Sequence, residues 1–260
     1  MTAGQYLPAY DMTVRRSSDN AQTNIGLVGG LEDTATLAAF CSGTNAYLVT
    51  WKNQGSLGSA GDASQSTAAS QPQVCASGVV KTWNGQPTVY YGGSQYLQTT
   101  GNVQVVNATT GVWSAAAVVN TNYNSTAQVI FSNDSTMANY RLISLRFTTN
   151  LGQLIADAFN ATGNALSAVS SIYPGNLFGG QFNMSTVSAY TNGALGGTTA
   201  FSGTIPTNPS IVQPGGNQLS YYLNGTLSEV WAGGFVQSTS DKATYDLNAA
   251  SFFGIAGVTQ

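Results

Sequence analysis

The residues able to do acid–base or nucleophilic chemistry in this chain are few, and their scarcity settles most of what it can be. No histidine occurs in its 260 residues. That removes Ser-His-Asp and Cys-His nucleophile arrangements and every histidine-ligated metal site. No Gly-rich segment ends in Gly-Lys-Ser/Thr, and the pairs Gly29-Gly30, Gly92-Gly93 and Gly233-Gly234 lack the strand-to-helix fingerprint of a nucleotide site. No Asp-x-Asp-x-Asp-Gly calcium loop is present. Neither a cofactor nor a metal is therefore expected. What remains is carboxylate chemistry, from eight Asp and two Glu. Glycosidic bonds can be cleaved by two carboxyl groups about 5 to 10 Å apart across a cleft. On residue types alone this reaction survives, with Asp134, Asp157 and Glu229 as candidates.

The basic residues are scarcer still, seven in all, yet Arg15 and Arg16 stand side by side with Asp19 close behind. Period-two alternation in GTLSEVW puts Leu227, Glu229 and Trp231 on one face, so Glu229 points at apolar surroundings. A buried carboxylate is costly unless a cation meets it. The expectation is a structural clasp in which Arg15 or Arg16 braces Glu229 or Asp19, since a guanidinium fork suits that task. The net charge of -3 gives no footprint for nucleic acid, and the short apolar runs give none for membrane insertion.

These residues must be positioned by strands. Charged residues make up 7% of the chain against roughly 25% in an ordinary soluble protein, so Ser, Thr, Asn, Gln and Gly carry its solubility. Short runs rich in Val, Tyr, Thr and Trp recur between turn-forming clusters: Ala46–Trp51, Pro87–Tyr91, Val112–Val119, Ala127–Ser132, Tyr140–Thr148 and Gly225–Trp231. In Tyr140–Thr148, Ile143, Leu145 and Phe147 share a buried face. Two helices interrupt the pattern. LEDTATLAAFCSG opens on acidic residues and closes at Gly43, with Leu31, Ala35, Ala38 and Ala39 on one face. STSDKATYDLNAASFFG offers Ser240 as cap and Ala243, Leu247 and Ala250 at helical spacing. The spacing of Cys41 and Cys75 leaves buried thiols and a bridge equally open. Trp51, Trp83, Trp113 and Trp231 are expected in the core.

The stretches VRRSSDNAQTNIGL, LEDTATLAAFCSGTNAYLVTWKNQGSLGSAGDASQS and WNGQPTVYYGGSQYL resemble the opening half of the catalytic domain of fungal α-L-arabinofuranosidase B. They also resemble concanavalin A-like (laminin G-like) modules of bacteriophage tail and other virion proteins. GTLSEVWAGGFVQSTSDKATYDLNAASFFGI is similar to the last strand and helix of those modules. The resemblance implies an all-β fold: one domain over residues 1–260, a concanavalin A-like jelly-roll sandwich of two antiparallel sheets with a few short helices. It also shows departures. Asn53 stands where the family often has Asp. The register that lays IADAFNATG over the family's nucleophile puts Phe159 at the Glu position. Gly215-Gly216-Asn217-Gln218 stands where the family's acid lies in Gly-Gly-Asp-Asn.

On that register both catalytic carboxylates are gone, and the expectation is a protein that is not an enzyme. It would be a bacteriophage virion surface protein, a tail or fibre adhesin or a head decoration, extracellular on the particle. Its partners would be host-surface glycans or other virion proteins, including further copies of itself. Tyr90, Tyr91, Tyr123, Tyr140, Tyr190, Tyr221 and Tyr222 are the candidate glycan-binding platforms, offering an apolar face and a polar tip. The alternatives are a glycoside hydrolase of arabinofuranosidase-like type and an adhesion domain of a bacterial secreted protein.

Overall fold

The computed structural model describes residues 11–121, 127–134, 141–147, 153–160, 163–170, 176–201, 207, 209–216 and 221–258. The fold is all-β, as expected, and built as a sandwich. Among the described residues one antiparallel sheet runs through the strands Gln98–Thr99, Ala63–Ser64, Ala46–Trp51, Gln73–Ala76, Val89–Gly92, Asn224–Gly233, Trp113–Thr121, Leu177–Phe182, Thr186–Thr191 and Ala194–Ala200. The hairpin Met12–Arg16/Gln22–Ile25 joins it along Ala46–Trp51. A second sheet has the order Gly163–Ser170, Gln153–Asn160, Arg141–Phe147, Gln128–Asp134, Ile211–Pro214.

The two sheets share one apolar core. Val14, Leu48, Ala117, Val119 and Leu227 from the large sheet meet Ile130, Leu145 and Phe147 from the second. Phe147 sets its edge on Phe178 at 5.2 Å between ring centres. Trp113–Thr121 is buried on both faces over most of its length, which is why its sequence reads as an unbroken apolar run rather than as alternation. The outer face is covered by helix α2, Thr239–Phe253, whose Ala249 and Phe253 pack with Ile255 on Val118 and Leu177. A buried Lys242–Asp246 ion pair fixes this helix. The Lys242 ammonium also donates to the Gly193 carbonyl at 3.1 Å and lies over the Tyr190 ring at 4.4 Å.

Both helices depart from the sequence expectation at their starts. Helix α1 covers only Thr34–Phe40, capped by Asp33, whose carboxylate accepts from the Thr36 N–H at 3.0 Å. Leu31–Glu32 is instead a short strand paired with Leu27–Val28. The two residues between them, Gly29 and Gly30, both have positive φ, the backbone a tight hairpin turn requires. Helix α2 is capped by Ser238 rather than Ser240, because the Ser238 hydroxyl accepts from the Asp241 N–H at 3.1 Å and donates to its carboxylate at 2.6 Å. Its buried face carries Asp246, Ala249 and Phe253, while Leu247 is exposed.

The arginine pair is a clasp of a different kind from the one expected. Arg16 grips Asp19 in a two-pronged bridge, Nε to Oδ1 at 2.8 Å and a terminal N–H to Oδ2 at 2.7 Å, across the turn that closes the first hairpin. Arg15 donates to Gln71 at 2.8 Å and Asn20 at 2.9 Å, and its guanidinium lies on Tyr47. Neither reaches Glu229. Met12–Arg16 and Asn224–Gly233 are separated by three intervening strands, a span of roughly 19 Å at the usual strand spacing. The bridge pulls the Asp19 carboxyl down to about 2, but both partners are well exposed.

Cys41 and Cys75 are joined in a disulfide, their Cα atoms 6.6 Å apart, tying the end of α1 to Gln73–Ala76. Closing a loop with a sequence separation of 34 restricts the unfolded chain by about 4 kcal/mol. Reduction, or paired Cys41→Ser and Cys75→Ser replacement, should therefore lower unfolding free energy by about 3 to 4 kcal/mol in denaturant titrations. Arg16→Ala should leave the melting temperature nearly unchanged at physiological salt, because an exposed bridge is screened. A large drop would mean that the turn it spans nucleates the hairpin.

Candidate functional site

The large sheet does not stay whole. Gln73–Ala76 and Val89–Gly92 meet only at Gln73 and Tyr90, and Ala46–Trp51 is paired to the former only through Ala46 and Tyr47. On the other side, Asn224–Gly233 pairs with Val89–Gly92 only as far as Leu227. Beyond these points Glu229–Gly233 keeps only Trp113–Thr121 as a paired strand among the described residues, while Thr50 and Trp51 pair with Ala63–Ser64. The opening is a groove of about 770 Å³. Its floor includes Phe131, Val212 and Pro214 of the second sheet. Its lining also includes Asp11, Met12, Trp51 and residues of the Leu27–Glu32 hairpin, together with Glu229, Trp231, Phe235 and the α2 residues Tyr245 and Phe252.

A β-bulge sets the place of Glu229 in this lining. Val119 pairs with Leu227 and Val118 with Glu229, so Ser228 is the extra residue. Leu227 stays in the inter-sheet core, while Glu229 turns to the α2 side with Trp231. Bulges commonly re-aim a side chain beside a functional site. Tyr245 interacts with both the Trp231 indole N–H and the Glu229 carboxyl, although neither its hydroxyl nor Trp231 Nε1 closes a hydrogen bond of standard geometry. Burial pushes the Glu229 carboxyl up, and the Tyr245 hydroxyl partly offsets this.

The same groove holds a closer acidic pair. Glu32 ends the Gly29-Gly30 hairpin, and Asp11 begins the first strand. Burial, reinforced by the negative charge of Asp11, pushes the Glu32 carboxyl up to about 7. Burial also raises Asp11, against which the Gln54 side-chain N–H donates at 2.9 Å and holds the carboxylate form. The groove thus contains an acid pushed up to about 7 by burial and by the charge of a second acid beside it, a coupling of the kind that can separate a proton donor from a base. The loop beyond Trp51 is rigidly held. Lys52 pairs with Asp62 at 2.7 Å, Asp62 accepts from the Asn53 N–H at 2.9 Å, and the Asn53 amide donates to the Gly55 and Gly58 carbonyls. Asn53 is therefore a loop brace.

Among the residues singled out from sequence, Glu229 does reach the groove, whereas the described tyrosine candidates do not line it. Tyr91 is fully buried and corrected from a surface platform. Its ring lies so close to Gly215 that a Cβ there would fall 2.1 Å from it. Tyr90 lies under Lys81 and Tyr190 under Lys242. Tyr221 is exposed, and Tyr222 stacks on Tyr96 at 5.6 Å. Tyr123, Tyr140 and Asn217 lie outside the described residues, as do the side chains of Asp134, Asp157 and Phe159. Of the tryptophans, only Trp113 is fully buried; Trp51 and Trp231 are groove residues. Asp11 and Glu32 were missed. The Gly29-Gly30 pair between Leu27-Val28 and Leu31 was the available signal for the hairpin that presents Glu32.

No family model and no curated protein matches the sequence. Solved structures do match the fold. A variant of a GH54 α-L-arabinofuranosidase soaked with 4-nitrophenyl α-L-arabinofuranoside superposes with a TM-score of 0.63 at 15% identity, covering 94% of this chain and 60% of that one. An arabinofuranosidase complexed with arabinofuranosyl-α-1,2-xylobiose gives 0.60 at 14% identity, with the same coverage. The chain thus spans about 60% of the length of the enzymes it matches. This corrects the expectation of a chain that is not an enzyme: solved structures that share its fold over 94% of its length include arabinofuranosidases, and its groove contains a carboxyl pair that the sequence register did not include.

The raised Glu32 carboxyl has a consequence for stability. Folded, Glu32 holds its proton to about pH 7; unfolded, only to about 4.5. Between these values the folded state binds more protons, so this group makes stability fall as pH rises and then level off above 7. Glu32→Gln should match wild type near pH 4 and melt higher than wild type above pH 7. Thermal unfolding from pH 4 to 8 checks this; parallel curves for the two proteins would show that Glu32 is not buried as described.

Proposed function

We propose that this chain is a glycoside-cleaving domain in which Glu32 donates the proton and Asp11 is the ionised partner. One observation carries the reading: the Glu32 and Asp11 carboxyls line the same 770 Å³ groove and act on each other there, burial and the Asp11 charge together pushing Glu32 up to about 7. Glu32 would protonate the glycosidic oxygen as its bond to the anomeric carbon breaks, and the aglycone would leave as an alcohol. Asp11 would either attack the anomeric carbon or take a proton from the water that does; the two roles differ in carboxyl separation and in stereochemical outcome. The likeness to arabinofuranosidases supports a furanoside as the first substrate to try. Glu229, beside Tyr245, is the third carboxyl lining the groove.

The disulfide supports an oxidising, extracellular setting. Both sheets contribute to the groove, which supports treating residues 1–260 as one domain. A place on a bacteriophage particle, with host-surface glycan as target and further copies or other virion proteins as neighbours, is compatible with this chemistry and rests on sequence resemblance alone.

The test is hydrolysis of 4-nitrophenyl glycosides, α-L-arabinofuranoside first, together with unactivated oligosaccharides, sampled and stopped in alkali. The expected rate falls as pH rises through about 7. Glu32→Gln should lose about 10²- to 10⁴-fold on oligosaccharides and less on nitrophenyl substrates, whose leaving group needs little protonation. Asp11→Asn should lose activity on both. A panel with no turnover, or a Glu32→Gln protein with the wild-type rate and pH profile, would sink the proposal.

A further inference from the structure

The groove that holds Asp11 and Glu32 is also lined by a cluster of rings. Phe235 lies flat on Trp231, with ring planes 3° apart and centres 5.9 Å apart, and Trp231 sets its face against the edge of Tyr245. This stack is made possible by the Gly233-Gly234 pair, for which no nucleotide role was found. A Cβ at Gly233 would fall 2.3 Å from the Phe235 ring, and one at Gly234 would fall 2.6 Å from the Asn107 backbone nitrogen. Only two glycines let the chain fold Phe235 back over the indole. The ring is nevertheless left 52% exposed, and Phe252 beside it 40%. Leu27 and Leu31 of the hairpin are 41% and 50% exposed. All four line the groove.

Large exposed apolar side chains gathered along one groove are not the scatter expected of an ordinary surface. Sugar hydroxyls need polar partners, and apolar lining selects apolar ligand surface. The polar groups needed by a sugar ring are gathered at Asp11, Glu32 and Gln54, where Gln54 donates to Asp11 and Asp11 acts on Glu32. The volume, near the upper part of the range for small-molecule sites, also exceeds what a single sugar ring fills.

Resting on the hydrolase reading above, we propose that the group attached to the sugar is apolar, an aryl or acyl-chain aglycone, and that it packs on the Trp231–Phe235–Phe252 cluster and against Leu27 and Leu31. The sugar then sits against Asp11 and Glu32 with its scissile oxygen toward the rings. Such a substrate gains binding from carbon surface that a plain oligosaccharide does not offer.

Binding can be separated from cleavage with methyl and octyl 1-thio-α-L-arabinofuranosides, whose sulfur link resists hydrolysis. Titration calorimetry on the intact chain, below the micelle concentration, should show the octyl compound binding at least about tenfold more tightly than the methyl one. Phe235→Ser and Phe252→Ser, both at exposed positions, should remove most of that advantage and leave methyl-glycoside binding unchanged. Equal affinities, no binding by either compound, or an advantage that survives both substitutions would overturn the proposal. Because nothing is cleaved, a protein that prefers the octyl compound yet hydrolyses no glycoside would retire the hydrolase reading alone. One that hydrolyses oligosaccharides without that preference would retire this inference alone.

Discussion

The groove depends on a strand that loses one of its two partners partway along. Asn224–Gly233 is paired on both sides through Leu227, but from Glu229 onward its paired strand among the described residues is Trp113–Thr121 alone. A sheet cannot open internally without exposing backbone groups along the tear, and those groups must be tolerated near water or near a ligand. The tear is held from both ends. Ladder pairing to Trp113–Thr121 continues to Gly233, the inner face stays locked in the sandwich core, and the outer face is closed by α2 through Val118, Leu177, Ala249 and Phe253. The bulge at Ser228 sits where the second partner is lost, and it is what allows Leu227 to serve the core while Glu229 and Trp231 serve the groove.

Electrostatics follows from this geometry. The chain holds seven cations, and those described near the functional face are already engaged: Lys52 with Asp62, Arg16 with Asp19, Lys242 with Asp246. Among the three groove carboxyls, Asp11 accepts from the neutral Gln54 amide and Glu229 lies beside the neutral Tyr245 hydroxyl. Neutral donors stabilise a carboxylate less than a guanidinium does, so burial dominates and all three carboxyls are shifted upward. A brace from Arg15 to Glu229 would have produced the opposite shift and a permanently ionised group.

Much of the fold was legible because burial is periodic in a strand. Ala46–Trp51 was read with the bounds it has, and the alternation that placed Leu145 and Phe147 inward holds. What periodicity cannot register is a single extra residue. GTLSEVW aligns Leu227, Glu229 and Trp231 on one face only if nothing interrupts the ladder, and the Ser228 bulge divides them between two sides of the sheet. The carboxyl pair was hidden for a related reason. An acidic Leu-Glu-Asp start followed by apolar periodicity has the same signature whether Glu32 opens a helix or ends a hairpin. Only the preceding Gly29-Gly30 separates the two, and Asp33 alone proves to be the cap. Trp51 and Trp231 look like core residues in any window of sequence, because a groove wall and a core face are equally apolar.

Stability alone gives no reason for the acids to stand where they do. The chain has ten acidic residues and keeps its charged fraction to 7%, yet Asp11, Glu32 and Glu229 all face one largely apolar groove. A carboxyl whose folded pKa lies above its unfolded value weakens the fold at neutral pH. Glutamine or asparagine would fill the same space without that penalty. A structural role for an acid is instead what Asp19, Asp33 and Asp62 display: each accepts from backbone or cation and holds a turn, a helix start or a loop. The groove acids hold nothing of that kind. Their destabilised charges, gathered in one groove, are the arrangement that the proposed proton transfer would need.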